Sequence, residues 1–284
     1  MDYIITIPSY HRSEICRDKT LSMLSKHNIP KDRIYVYIVK EDEESYKATC
    51  DVKLIIGKKG LVQQRQFIIE QFPEGKHIVF LDDDIEKVDV DEFKTLDHFI
   101  KEAFRITKEE KAYIWGVYPV FNPFFRKTKP RVTTCLNYIV GAFYGIINRR
   151  NPKLKLSITK ENGQKEDVER TILYFKHDGV VVRFNKVGFV TKYYGKQGGL
   201  GTFEERLQPM KKASHLLKQK YPYYGTILTR KTGMTEFRLK KIETKNMKSR
   251  HNTSKNGSRI SFPPSRFRTN GDQINRYYPA HDYA

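Results

Sequence analysis

Only three cysteines and one tryptophan occur among the 284 residues. Cys16, Cys50 and Cys135 are widely spaced and odd in number, so they spell neither a disulfide framework nor a zinc-binding pattern. Sparse thiols of this kind fit a reducing, intracellular setting. No stretch of eighteen apolar residues exists, which excludes an ordinary transmembrane helix. The opening Met1-Asp2-Tyr3-Ile4 enters a strand-like run with no basic segment before it, so no secretory signal is expected. No Gly-Lys-Ser/Thr follows the glycines near residue 198, which excludes a Walker-type phosphate loop.

Positive charge is what the chain has in excess. The net charge is +20, and it is uneven. Residues 207–270 hold sixteen Lys and Arg against only Glu236 and Glu243. A basic block of this kind is the footprint of a polyanion partner, nucleic acid first, although a solvated basic face has the same composition.

Strand-like and helical patterns alternate along the chain. Tyr3–Pro8, Arg33–Val39, Lys53–Ile56 and His77–Leu81 read as strands. Residues 17–26, Leu61–Phe72 and Phe93–Phe104 carry helical spacing. Tyr113–Val120, Tyr138–Ile147 and Gly179–Phe184 read as further strands, and Glu166–Phe175 and Thr202–Lys220 as helices. This order predicts an α/β domain with a mostly parallel sheet, whose ligand lies beyond the carboxyl ends of the strands. Pro8-Ser9-Tyr10 and the run Asp82-Asp83-Asp84 both fall at such ends. The expected division is 1–206 as the main domain, 207–245 as a basic extension completing it, and 246–284 as a basic tail.

The three aspartates after a fully apolar strand are the sharpest feature. A phosphate-bearing substrate needs its charge neutralised, and carboxylate oxygens hold the divalent ion that does so. If the aspartates continue the strand, Asp82 and Asp84 share one side as metal ligands and Asp83 faces elsewhere. The plainer alternative is a helix start capped by Asp84. Three acidic residues exceed what a cap requires, yet alone they fit several Mg²⁺ enzymes.

In order along the chain, Ile7-Pro8-Ser9-Tyr10-His11-Arg12, Lys19-Thr20-Leu21, Gln64-Arg65, Leu81-Asp82-Asp83-Asp84-Ile85, Trp115-Gly116-Val117-Tyr118-Pro119 and Gly198-Gly199-Leu200 together resemble one family. It is the base J glucosyltransferase-like, or TET/JBP-associated, glycosyltransferase group, with members in kinetoplastids, phages and large viruses. The resemblance spans roughly residues 3–205. It implies a GT-A (Rossmann-like) nucleotide-sugar-binding fold with a mixed, mostly parallel central sheet. It also implies a UDP-sugar donor, Mn²⁺ or Mg²⁺, and an acceptor hydroxyl on a 5-hydroxymethylpyrimidine in DNA. Pro8, Ser9, Tyr10 and Arg12 would line the nucleotide pocket, with Arg65 near the uridine or diphosphate. Asp82 and Asp84 would hold the metal, Asp83 would face the sugar, and Trp115, Gly198 and Gly199 would border the donor.

An inverting transfer needs a general base. Asp167 is the expected base, with Glu166 and Asp178 behind it, although acidic residues also open helices for purely structural reasons. Tyr118, Asn122, Phe124 and Phe125 are candidates for the acceptor pocket or, for the two phenylalanines, the core. The loop 193–201 could approach an anion or act as a lid. No named histidine is backed as a further metal ligand. Rival readings are a GT-A enzyme for surface or capsid glycans and a non-catalytic nucleic-acid-binding module.

In the basic block, Tyr221, Tyr223, Tyr224 and Phe237 interleave with Lys and Arg, as in surfaces that stack on bases. DNA affinity should therefore fall by orders of magnitude between low and physiological salt, with little sequence preference. Filter binding across a salt series checks this, and a flat salt dependence would remove the polyanion reading.

Overall fold

The structure is a computed structural model and describes residues 2–90, 92–159, 163–191 and 201–244. The chain opens on β1 (Tyr3–Pro8), α1 (Ser13–Ile15), a π-helical turn (Cys16–Leu21) and α2 (Ser22–Lys26). Then come β2 (Ile34–Ile38), α3 (Glu43–Thr49), β3 (Lys53–Ile56), α4 (Leu61–Gln71), β4 (His77–Leu81) and β5 (Ile85–Asp89). Next are α5 (Leu96–Glu109), β6 (Ile114–Val117), α6 (Pro123–Lys127), β7 (Val132–Thr133), β8 (Phe143–Ile147), α7 (Glu166–Asp178), β9 (Val182–Phe184) and β10 (Gly188–Thr191). The last described elements are α8 (Phe203–Lys220), β11 (Gly225–Thr229) and β12 (Thr235–Leu239).

Eight strands form one mixed sheet in the order β3-β2-β1-β4-β8-β6-β9-β7. β1 runs parallel to β2 and β4, β2 to β3, and β6 to β9. β8 lies antiparallel between β4 and β6, and β7 is antiparallel to β9. The central strands β4 and β8 are buried along their whole length, as helices on both faces demand. Two small antiparallel ladders, β5 with β10 and β11 with β12, stand apart from this sheet.

Local chemistry explains most element ends. Thr95 caps α5 by accepting from His98 N at 3.0 Å. Gly179, at φ 73°, stops α7 in the left-handed conformation that glycine tolerates. Thr202 and Glu205 close a reciprocal capping box on α8. The strand expected over 138–147 is shorter than read: residues 138–142 are loop and β8 begins at Phe143. β5 and β10 escaped the sequence reading because each is short and carries charged or irregular positions.

Trp115 sits at the centre of the core, fully buried, with Phe99, Phe104, Phe143 and Phe184 edge-on to it at 5.5–6.2 Å. A Cβ on Gly145 of β8 would come 2.4 Å from the Trp115 ring, so that glycine makes room for the indole. The family-derived place for Trp115 at the donor's border is therefore corrected. Its strand is separated from β4 by β8, and its ring faces packed phenylalanines. The basic extension also joins this core, because Leu217, Tyr221, Phe237 and Leu239 belong to the same buried cluster. Trp115→Ala should cost about 3–5 kcal/mol of stability by urea unfolding; a change below 1 kcal/mol would contradict the core assignment.

Candidate active site

β1 and β4 are parallel neighbours, so their carboxyl ends bring Pro8-Ser9 beside the aspartates. The aspartates do not continue the strand. They form the turn from β4 into β5, which also removes the helix-cap alternative, because Asp84 leads into a strand. Thr20 holds this turn: its hydroxyl donates to the Asp82 carbonyl at 2.8 Å and accepts from Ile85 N at 2.9 Å.

The turn sends the three carboxylates to different partners. Asp83, the one expected to face a sugar, is instead buried against Ser9 Oγ at 2.5 Å and Arg12 Nη1 at 2.8 Å. Asp84 takes the same Arg12 nitrogen at 3.4 Å and a hydrogen bond from the Thr191 hydroxyl. Asp82 turns to Arg65 Nη2 at 2.9 Å and keeps 39 % of its side chain exposed. Burial pushes the Asp83 carboxyl up to about 6; Arg12 pulls against that push and Asp84 adds to it. Burial likewise raises Asp82 above the ordinary carboxylate range, with Arg65 opposing and the neighbouring aspartates reinforcing.

The loop after β1 is built to deliver Arg12. His11 adopts φ 55°, uncommon for a residue with a side chain, and Asp42 anchors it by accepting from His11 N at 2.8 Å and pairing with Nδ1. Arg12 N donates to the Tyr46 hydroxyl at 3.2 Å. Ser9 spends its one proton on Asp83, so Tyr46 donates to Ser9 in the 2.5 Å contact between them. Tyr10 is half-buried beside His11, with Lys59 Nζ 5.6 Å from its ring centre.

The start of α7 meets the other side of Asp82. Arg65, buried in α4, hydrogen-bonds Glu166, Asp82 and the Gly141 carbonyl. Glu166 is buried, and its second oxygen takes Arg170 one turn on. Each oxygen of Glu166 thus faces an arginine. Asp167 is half-buried and accepts from the Tyr138 hydroxyl, Gly141 N at 3.3 Å and Val168 N at 2.9 Å. Asp178 lies at the far end of α7, ion-paired to Arg149, and is removed from this group. A Cβ on Gly141 would meet Glu166 at 2.9 Å and Arg65 at 3.2 Å, so the close approach needs glycine.

Gly198 and Gly199 lie outside the described residues, as does the tail 246–284. Phe124 and Phe125 are exposed on α6, Phe124 by 76 %, which removes the core alternative for them. Tyr221 and Phe237 are buried in the core, so among the four aromatics of the basic block only Tyr223, 81 % exposed, is open to a base. Sequence reasoning missed Thr20, Asp42, Tyr46, Tyr138 and Thr191. Arg170 was findable, since it stands four residues after Glu166 on a helix.

Among the described residues, no three His, Cys, Asp or Glu side chains are grouped to hold a metal ion. Asp82 and Asp84 are carboxylate donors two residues apart in the chain, and Asp82 faces solvent in part. Such a pair fits a divalent ion only where external oxygens complete the shell. No protein-family model matches the chain, and no curated protein sequence matches it. No described helix is long and apolar enough to cross a membrane.

Arg12→Gln strips the partner from a buried carboxylate and should cost about 3 kcal/mol at pH 8. An acid whose folded pKa is raised binds its proton more readily in the folded state, and without Arg12 to oppose the rise Asp83 lies higher still, so protonation as the pH falls relieves the unpaired charge. The gap between variant and wild type should therefore narrow from pH 8 to pH 5 in denaturant titrations. A gap that is constant or widens would show that Arg12 acts otherwise.

Proposed function

We propose that this chain is a metal-dependent GT-A glycosyltransferase that moves a hexose from a UDP-sugar to the hydroxymethyl group of a modified pyrimidine in DNA. The observation that carries the reading is the convergence of the β1 end, the acidic turn after β4, Arg65 and the start of α7 at one edge of the sheet. A mixed sheet with its acidic turn and Ser9 at the carboxyl ends of parallel strands is the arrangement in which α/β enzymes bind nucleotides. The resemblance in sequence supplies the reaction class, and the charge of the last third supplies the acceptor class.

In this reading Tyr10 and Lys59, at the rim, face the nucleoside. Arg65 carries positive charge toward the diphosphate while holding Asp82 in place. Asp82 and Asp84 hold Mn²⁺ or Mg²⁺, which when bound neutralises the leaving diphosphate. Asp83, with Ser9 and Arg12, positions the turn. Asp167 takes the acceptor proton, and Tyr138 and Gly141 N orient its carboxylate. The exposed Phe124 and Phe125 offer faces for an unstacked base. Lys211, Lys212, Lys220, Lys231 and Lys240 are exposed on α8 and the β11–β12 hairpin, where they would meet the DNA backbone.

The test is transfer of label from UDP-glucose, with Mn²⁺ or Mg²⁺, to duplex DNA carrying 5-hydroxymethyluracil or 5-hydroxymethylcytosine. Asp84→Ala and Asp167→Asn should each lower transfer at least about a hundredfold, with the folded state checked by circular dichroism. Metal-dependent UDP release without label in DNA would move the acceptor to a glycan. Neither transfer nor release with any nucleotide sugar would defeat the enzyme reading.

A further inference from the structure

A cavity of about 240 Å³ lies between α4, β8 and α7. Its wall includes the residues 149–156 that follow β8. Because β8 is antiparallel, with Ile147 opposite His77 at the start of β4, this segment leaves the sheet at the end away from the aspartates. Five basic side chains line the cavity, Arg65, Arg149, Arg150, Lys155 and Arg170, against Glu70 and Glu166.

Arg170 is the informative member. Its side chain is only 8 % exposed. One nitrogen holds Glu166, and the guanidinium lies 3.9 Å from the centre of the Tyr144 ring. Its Nε and second terminal nitrogen are buried with no hydrogen-bond partner. These two N–H groups form the fork that a carboxylate or phosphate matches with two parallel hydrogen bonds. Leaving such a charged donor edge buried and unpaired is costly, whereas an oxyanion would satisfy it. Arg65 Nε, on the facing helix, is unpartnered in the same way. Arg150 and Lys155 are exposed and supply attraction near the cavity. Arg65 and Glu166 line both this cavity and the candidate active site, whereas the proposed nucleotide-sugar chemistry does not use Arg170.

We infer that the cavity is a second ligand site, taking a small oxyanion, a phosphate or a carboxylate group, among the basic side chains that line it, Arg170 included. The experiment is isothermal titration calorimetry of the full chain with inorganic phosphate, and separately with succinate, alongside the Nε–H signal of Arg170 in labelled protein. Saturable binding of either anion, with a shifted Arg170 signal, is expected, and the one that binds names the source. Arg170→Gln should weaken it at least about tenfold. Should Arg170→Gln fail to fold, Lys155→Ala, on an exposed side chain lining the cavity, should weaken binding severalfold without changing the melting temperature. Lys26→Ala with Lys108→Ala, exposed on α2 and α5 and outside the cavity lining, should leave it unchanged. Absence of saturable binding of both anions, or equal loss in that control variant, overturns the inference. The result stands apart from sugar transfer, because neither measurement uses a nucleotide sugar.

Discussion

Compensation of buried carboxylates by two arginines organises this molecule. Four acidic side chains, Asp82, Asp83, Asp84 and Glu166, converge where the β1 and β4 ends meet α7. Left alone they would repel and take up protons. Arg12 answers Asp83 and Asp84, and Arg65 answers Asp82 and Glu166. Each guanidinium spans two carboxylates, and each is held by its own scaffold. Arg12 depends on the turn anchored by Asp42 and Tyr46, and Arg65 on a buried helix face. Loosening either scaffold would leave charge uncompensated in a dry place, which is why the surrounding backbone is so fully tied.

The same economy divides roles among similar residues. Three consecutive aspartates have three different fates because a turn points each one differently. Asp83 is locked inside, Asp84 is shared between Arg12 and Thr191, and Asp82 alone faces outward in part. Glu166 and Asp167 are adjacent, yet the helix turns one into a buried ion-pair hub and leaves the other half-exposed beside Tyr138. Glycine at 141 lets the backbone pass close enough for Arg65 and Asp167 both to bind it. Roles that composition assigns to a motif are thus settled residue by residue by which way the backbone runs.

Much of the framework was legible in the chain itself. β1, β3 and β4 were readable to the residue, because apolar β-branched runs bounded by proline, glycine or charge leave little choice. α4, α5, α7 and α8 were readable from their helical spacing and caps. Their alternation sufficed for an α/β class with a mostly parallel sheet. The short β5, with charged positions, and β10, only four residues with an irregular register, carried no such signal. Trp115 was misplaced, and the two places open to Phe124 could not be told apart, for one reason: an aromatic residue reads the same in a core and on a surface until its neighbours are known.

By itself the sequence determined the apolar strands, the helical faces, the acidic run after β4 and the concentration of positive charge in the last third. These are local or compositional, and a chain carries them wherever it folds. Tertiary structure alone decided that Arg12 faces Asp83, that Arg65 joins Asp82 to Glu166 across a hundred residues, and that Arg170 opens onto a cavity. Those pairings depend on strand order and on the direction of turns between elements, and contacts so distant along the chain leave no periodic trace in it.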